Sequence, residues 1–126
     1  MAAIPSLAPS LPAREALLRR GAANVGRCYQ CATCSSVCEL SPTEAPFPRR
    51  LVLLAQWGLV DRLAADPAVW LCHQCNDCTL RCPRDARPGD VVGAVRSLVI
   101  EKLAFPGFLG KLVGAARVSW PLLLAL

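Results

Sequence analysis

The sequence predicts an all-α domain, and three observations predict it. Eleven prolines break the chain into short segments, apolar positions recur between them at helical spacing, and no alternating strand or hairpin pattern is present. The 126 residues suit one globular unit with extensions. A domain of this size has a modest core, so cross-links contribute much of its stability.

In chain order, residues 1–12 read as a Pro-rich leader, and Ala13 to Arg20 suit a helix that buries Leu17 and Leu18 and ends at Gly21. The first cysteine group, Cys28 to Cys38, follows. The prolines of Ser41 to Pro48 make that stretch loop, and Pro48 can open the next helix. Arg49 to Trp57 carries Leu51, Leu54 and Ala55 at helical spacing, with Gly58 placed to stop it. A short helix over Leu59 to Ala64 comes next. Asp66-Pro67 then reads as cap and first helical residue of a turn that delivers Trp70 and Leu71 beside the second cysteine group. After Cys82-Pro83, Arg84 to Gly89 reads as loop. Asp90 is expected to cap a helix with Val91, Val92, Val95, Leu98 and Val99 along one face. The aliphatic and Trp positions are expected to pack the core.

Charge and termini narrow the function. The formal net charge is +5, but the basic residues are scattered and not interleaved with aromatics, so no nucleic-acid partner is expected. Residues 1–12 lack an early positive charge and are broken by Pro5, Pro9 and Pro12, which is unlike a secretory signal. A cytoplasmic location follows, and there clustered thiols more often hold metal than form disulfides.

The chemistry lies in an internal repeat. Cys28, Cys31, Cys34 and Cys38 share the spacing C-x2-C-x2-C-x3-C with Cys72, Cys75, Cys78 and Cys82, and all eight cysteines are used. Two-residue gaps let three successive sulfurs turn inward onto one iron–sulfur cubane. The fourth cysteine is expected on a helix pointing away from its own loop, where in two-cluster proteins it ligates the other cluster. A crossed assignment follows for two [4Fe-4S] clusters: Cys28, Cys31, Cys34 and Cys82 on the first, Cys72, Cys75, Cys78 and Cys38 on the second.

Zinc is the competing metal, yet zinc knuckles take two ligands from each C-x2-C, and the third cysteine of each group would lack a role. Four cysteines within so short a run also pair awkwardly as disulfides. A thiol catalyst would use one isolated C-x-x-C, whereas here each pair is embedded in the longer pattern. His73, between Cys72 and Cys75, would be a surplus ligand and is expected to make a hydrogen bond or face solvent. No Ser/His/Asp, paired-carboxylate or phosphate-loop constellation is available, so a relay is expected in place of catalysis. Arg49, Arg50, Arg81, Arg84 and Arg87 flank the cysteine groups, either balancing cluster charge or offering a docking face for an acidic partner.

Particular segments extend this reading: Cys28-Tyr-Gln-Cys-Ala-Thr-Cys34, Leu40-Ser-Pro42, Pro46-Phe-Pro-Arg49, Ala55-Gln-Trp-Gly-Leu59, Trp70-Leu-Cys-His-Gln-Cys-Asn-Asp-Cys78, Arg81-Cys-Pro-Arg84 and Ala86-Arg-Pro-Gly-Asp-Val91. Across residues 24–110 the chain resembles the dicluster iron–sulfur subunit of heterodisulfide reductase. It is closer still to the N-terminal iron–sulfur domain of the corresponding, heterodisulfide-reductase-like subunit of the quinone-interacting membrane-bound oxidoreductase complex. The resemblance implies an α-helical ferredoxin fold and electron transfer between a membrane quinone or haem module and flavoprotein, heterodisulfide-reductase-like subunits. It also implies a place in dissimilatory sulfur metabolism, at the cytoplasmic face of the cytoplasmic membrane. The chain has no adjacent Cys-Cys pair of the kind expected in the disulfide-cleaving partner, so it should pass electrons on without reducing a disulfide. Glu39 stands where that family commonly has Pro, and Asp85 where it often has Gly.

The expected organisation is a leader and N-terminal helix over 1–23, a dicluster domain over 24–104 and an apolar tail over 105–126. In the tail, Val118 to Leu126 would rise about 14 Å as a helix against about 30 Å of hydrocarbon. It reads as the start of a membrane segment cut short, with Lys111 and Arg117 on its cytoplasmic flank, or as an apolar tail that packs on protein.

Overall fold

The computed structural model describes residues 8–109 and 111. Among them the chain is helical, with no strand. Helix α1 (Leu11–Arg19) begins two residues before its predicted start, inside the expected leader. Ser10 Oγ accepts the Ala13 N–H, and a proline in the first turn needs no partner for a missing N–H. Gly21, at φ 112°, ends it and lets Ala22 N–H return to the Leu17 carbonyl. A 3-10 turn, Val25–Arg27, then leads into Cys28.

Two single-turn helices lie within the cysteine groups, α2 (Thr33–Ser36) and, later, α6 (Asp77–Leu80). Between them run α3 (Arg49–Gln56), α4 (Val60–Ala65) and α5 (Ala68–Leu71). Gly58 stops α3 as expected, at φ +67°. Asp66 is buried; its Oδ1 accepts the Ala68 N–H and its Oδ2 lies 2.6 Å from Arg50. One carboxylate therefore caps α5 and fastens it to α3.

The last described helix, α7 (Pro88–Leu103), corrects the expected boundary. It starts at Pro88 and not at Asp90, because proline presets the helical φ and has no amide to satisfy. Asp90 sits in the first turn, where a carboxylate favours the positive helix end, and pairs with Arg87 at 2.8 Å. Arg87 itself turns at φ 53° to admit the helix.

Helix α7 packs against α1, α3, α4, α5 and α6. Leu51, Val52 and Ala55 of α3 meet Val91, Val92 and Val95 of α7 in a core that also buries Leu17, Phe47 and Leu63. Full burial of each large aliphatic or aromatic side chain contributes about 1.5–3 kcal/mol. Arg20–Glu101 and Lys102–Asp61 ion pairs tie the far end of α7 to α1 and α4. Phe105 and Phe108 are exposed. No helix among the described residues is long and apolar enough to cross a membrane. The expected membrane-segment start, Val118 to Leu126, and residues 1–7 of the leader lie outside the described residues.

Candidate metal centre

The two cysteine loops are built by the same backbone device. Gln30 (φ 65°) and Ala32 (φ 70°) alternate with cysteines in the first, as Gln74 (φ 58°) and Asn76 (φ 67°) do in the second. Left-handed residues at every second step curl each loop tightly before α2 or α6 begins. Cys34 and Cys78 sit in those short helices and are buried, while Cys31 and Cys75 are exposed.

The fourth cysteines depart from expectation. Cys38 and Cys82 are not helical; each follows its single-turn helix in coil, because the last α-type bonds are those of Val37 N–H to the Thr33 carbonyl and Arg81 N–H to the Asp77 carbonyl, one residue before the cysteine. Cys38 nonetheless lines one cavity of about 330 Å³ with Cys72, Cys75 and Cys78. Helices α2 and α6 also pack on each other, bringing the two loops together.

Hydrogen-bond donors already face the sulfurs. Gln30 Nε2 lies 3.4 Å from Cys28 Sγ, and Gln74 places its backbone N and Nε2 at 3.5 and 3.6 Å from Cys72 Sγ. Ala86 N–H donates to Cys82 Sγ at 3.3 Å. Such contacts hold the sulfurs in place.

These donors are anchored by a scaffold that repeats with the loops. Gln30 Nε2 also reaches the Arg49 carbonyl at 3.5 Å, and Gln74 Nε2 the Gly89 carbonyl at 3.3 Å. Arg49 N–H donates to Ser35 Oγ, and Gly89 N–H to Thr79 Oγ1. The first turns of α3 and α7 are thus equivalent supports, each opened by a proline. In the second copy the fit is closer: a Cβ at Gly89 would stand 2.5 Å from Asn76 Oδ1 and 2.9 Å from Thr79 Oγ1. Sequence reasoning on cysteine spacing passed over Gln30 and Gln74, although the shared C-x-Q-C pattern marked them.

Residues 24–86 match the model of the 4Fe–4S dicluster domain. The chain belongs to that family. The dicluster domain here is similar to a heterodisulfide reductase subunit-like protein of Archaeoglobus profundus, 36% identical over 91 residues, which cover 71% of this chain and 48% of the relative. It is also similar to a subunit of the H(2):CoB-CoM heterodisulfide,ferredoxin reductase of Methanothermobacter thermautotrophicus, 36% identical over 84 residues, or 66% and 45% of the two chains. A third relative, an iron-sulfur subunit of the CoB--CoM heterodisulfide reductase of Methanopyrus kandleri, is 35% identical over 79 residues, 63% and 41%. The chain spans about half the length of the curated relatives it matches.

Two 4Fe–4S clusters are the cofactors of a dicluster domain, and the donor set fits them. Eight free thiols, four of them around a single cavity, match the all-thiolate demand of a cubane. Among the described residues no three His, Cys, Asp or Glu side chains converge on one point as a lone metal ion requires. The sulfurs of the second loop stand around a space.

Electrostatics divides the thiols. Burial, helped by the negative charge of Cys28, pushes Cys34 up to about 11, and burial with Cys72 nearby raises Cys78. The Thr33 hydroxyl, 3.4 Å from Cys31 Sγ, lowers the exposed Cys31 thiol. Cys38 is among the charges felt by Cys78, in keeping with the shared cavity. Near neutral pH the raised Cys34 and Cys78 thiols favour keeping their protons, and positive charge arriving beside them favours their release.

Of the flanking arginines, Arg50 holds Asp66, Arg87 holds Asp90 and Arg84 lies over the Tyr29 ring, its carbon 5.7 Å from the ring centroid. Arg49 Nε donates to Gln30 Oε1 at 3.3 Å, and Arg81 is exposed. These placements serve structure first; of the five, only the Arg81 side chain has no ion pair, ring contact or hydrogen bond among the described residues. His73 is exposed at the cavity edge. Asp85 adopts φ 50°, and its carboxylate takes hydrogen bonds from Asn24 at 3.0 Å and Arg27 at 3.1 Å. That left-handed backbone accounts for the glycine common at this position in the resembled family.

Proposed function

We infer that this chain is an electron-relay subunit whose two clusters are ligated crosswise, Cys28, Cys31, Cys34 and Cys82 on one and Cys72, Cys75, Cys78 and Cys38 on the other. The observation that carries this is Cys38, from the first repeat, lining the cavity of the second loop's three cysteines. A 4Fe–4S cluster accepts and releases single electrons, and that is the chemistry it supplies here. The chain's own residues hold the sulfurs, aim amides at Cys28, Cys72 and Cys82, and keep Cys34 and Cys78 from solvent. Packed short helices bring the two loops near enough for electrons to pass between them.

The partners are subunits of a heterodisulfide-reductase-like complex, flavin-bearing on one side, with a membrane quinone or haem module on the other, at the cytoplasmic face of the cytoplasmic membrane. Support comes from the segments around Cys72 and from relatives that are themselves subunits of such reductases. A role in dissimilatory sulfur metabolism belongs to the same reading. The relatives' names favour a second version, a dicluster subunit without quinone contact, since they speak of CoB-CoM heterodisulfide and ferredoxin.

Anoxic purification tests the core of the reading. The expected product is brown, with about eight iron and eight acid-labile sulfide per chain; colourless protein carrying zinc would end it. Reduction of the clusters by a quinol in membranes of the native host separates the two versions.

A further inference from the structure

The repeat extends past the loops into the helices that support them, and there it is broken by a charge. In the first copy Gln56, in the last turn of α3, donates Nε2 to the carbonyls of Val25 at 3.0 Å and Cys28 at 2.8 Å. In the second copy Arg96 of α7 donates Nε to the Val69 carbonyl at 2.8 Å and Nη2 to the Cys72 carbonyl. Val25 stands to Cys28 as Val69 stands to Cys72, and Gln56 and Arg96 lie equally far beyond Pro48 and Pro88. The two side chains therefore grip the same two carbonyls at the entrance of equivalent loops, one as a neutral amide and one as a guanidinium.

Arg96 is partly buried, and its guanidinium carbon lies 5.9 Å from the centroid of the Trp70 ring. Among the described residues no carboxylate bridges it. A partly buried charge is screened far less than an exposed one. The cations near the first loop are all exposed: Arg49 reaches Cys28 only through Gln30, Arg84 lies over the Tyr29 ring, and Arg27 is paired with Asp85. An added electron makes a cluster more negative, so fixed positive charge beside a ligand's backbone favours the reduced state.

We propose that Arg96 is a positioning residue that raises the reduction potential of the cluster held by Cys72, making it an electron sink that its neutral counterpart Gln56 does not create at Cys28. The proposal rests on the dicluster relay reading. It gives the relay a built-in asymmetry, with one end of the pair favoured to hold the electron.

The test is a redox titration of the full, cluster-loaded chain followed by electron paramagnetic resonance, with the Cys72 cluster's signal assigned from its loss in Cys75→Ser. Arg96→Gln installs the residue that serves in the other copy. It should lower the reduced-to-oxidised ratio of the Cys72 cluster at fixed ambient potential by up to about tenfold, which for a one-electron couple is about 59 mV. The other cluster should stay within about twofold. Arg96→Lys, which keeps the charge with a different donor geometry, should restore most of the potential, and Gln56→Arg should raise that of the Cys28 cluster. If Arg96→Gln fails to load, the lysine and Gln56→Arg variants carry the decision. Both clusters present with unmoved potentials would overturn the charge asymmetry and leave the relay standing. A wild-type chain without iron would overturn both.

Discussion

At Gly58 the chain turns at φ +67° while passing close under the start of α1. A Cβ there would meet Ser10 O at 2.1 Å and Arg14 N at 2.9 Å, both backbone atoms that cannot swing aside. Gly58→Ala should combine left-handed strain with steric overlap and lower stability by about 2–4 kcal/mol, read as a fall in the denaturant midpoint. An unchanged midpoint would mean that α1 is free to lift away. The thiols allow a second test at this scale. A raised thiol pKa means less thiolate at a given pH, so at pH 8 Cys34, with its pKa of about 11, is ionised to only about one part in a thousand. In cluster-free protein, alkylation followed by mass spectrometry should label Cys31 at least about tenfold faster than Cys34 or Cys78. The gap to Cys34 should narrow as pH rises toward 11, where that thiol begins to ionise. Equal rates at pH 8 would remove the burial that separates them.

Between residues and the whole stands the short helix, and α5 is the one that delivers Cys72. Its four residues cannot sustain a helix alone. Asp66 does that work by accepting the Ala68 N–H and pairing with Arg50 on α3. Asp66→Ala should cost about 2–4 kcal/mol, whereas Asp66→Asn keeps an oxygen at the cap and should cost less, a difference that thermal unfolding of the loaded protein would measure. If the two variants melted alike, the cap would count for nothing and the ion pair for everything. The Asp-Pro signal made this element legible in advance, as Gly58 did the end of α3 and the valine spacing did α7. The start of α7 was less legible, because Asp90 and Pro88 are both helix openers and the choice depends on Arg87 accepting a left-handed turn. The helical placement of Cys38 and Cys82 follows from the two-cluster ligand pattern alone, since four-residue turns such as α2 and α6 have no periodicity that would show where they end.

For the whole molecule, the cysteine spacing contained the cofactor, yet it could not contain the scaffold around it. Gln56 and Arg96 act through backbone carbonyls brought within reach only by folding, and no local pattern distinguishes them from surface side chains, whereas Gln30 and Gln74 were marked by their repeated place beside a cysteine. What the repeat does imply is an interlocked chain, and serine pairs decide it. Under crossed ligation Cys38 and Cys75 serve the same cluster, so Cys38→Ser with Cys75→Ser should leave about four iron per chain, no fewer than either single variant retains. Cys31 and Cys38 serve different clusters, so Cys31→Ser with Cys38→Ser should strip both. Uncrossed ligation predicts the reverse, with the Cys31/Cys38 pair sparing one cluster and the Cys38/Cys75 pair destroying two. Iron content and the number of paramagnetic signals on reduction distinguish these outcomes. The apolar core of α1, α3, α4 and α7 is built from aliphatic and aromatic side chains, so the variants should keep enough fold for the comparison to be read.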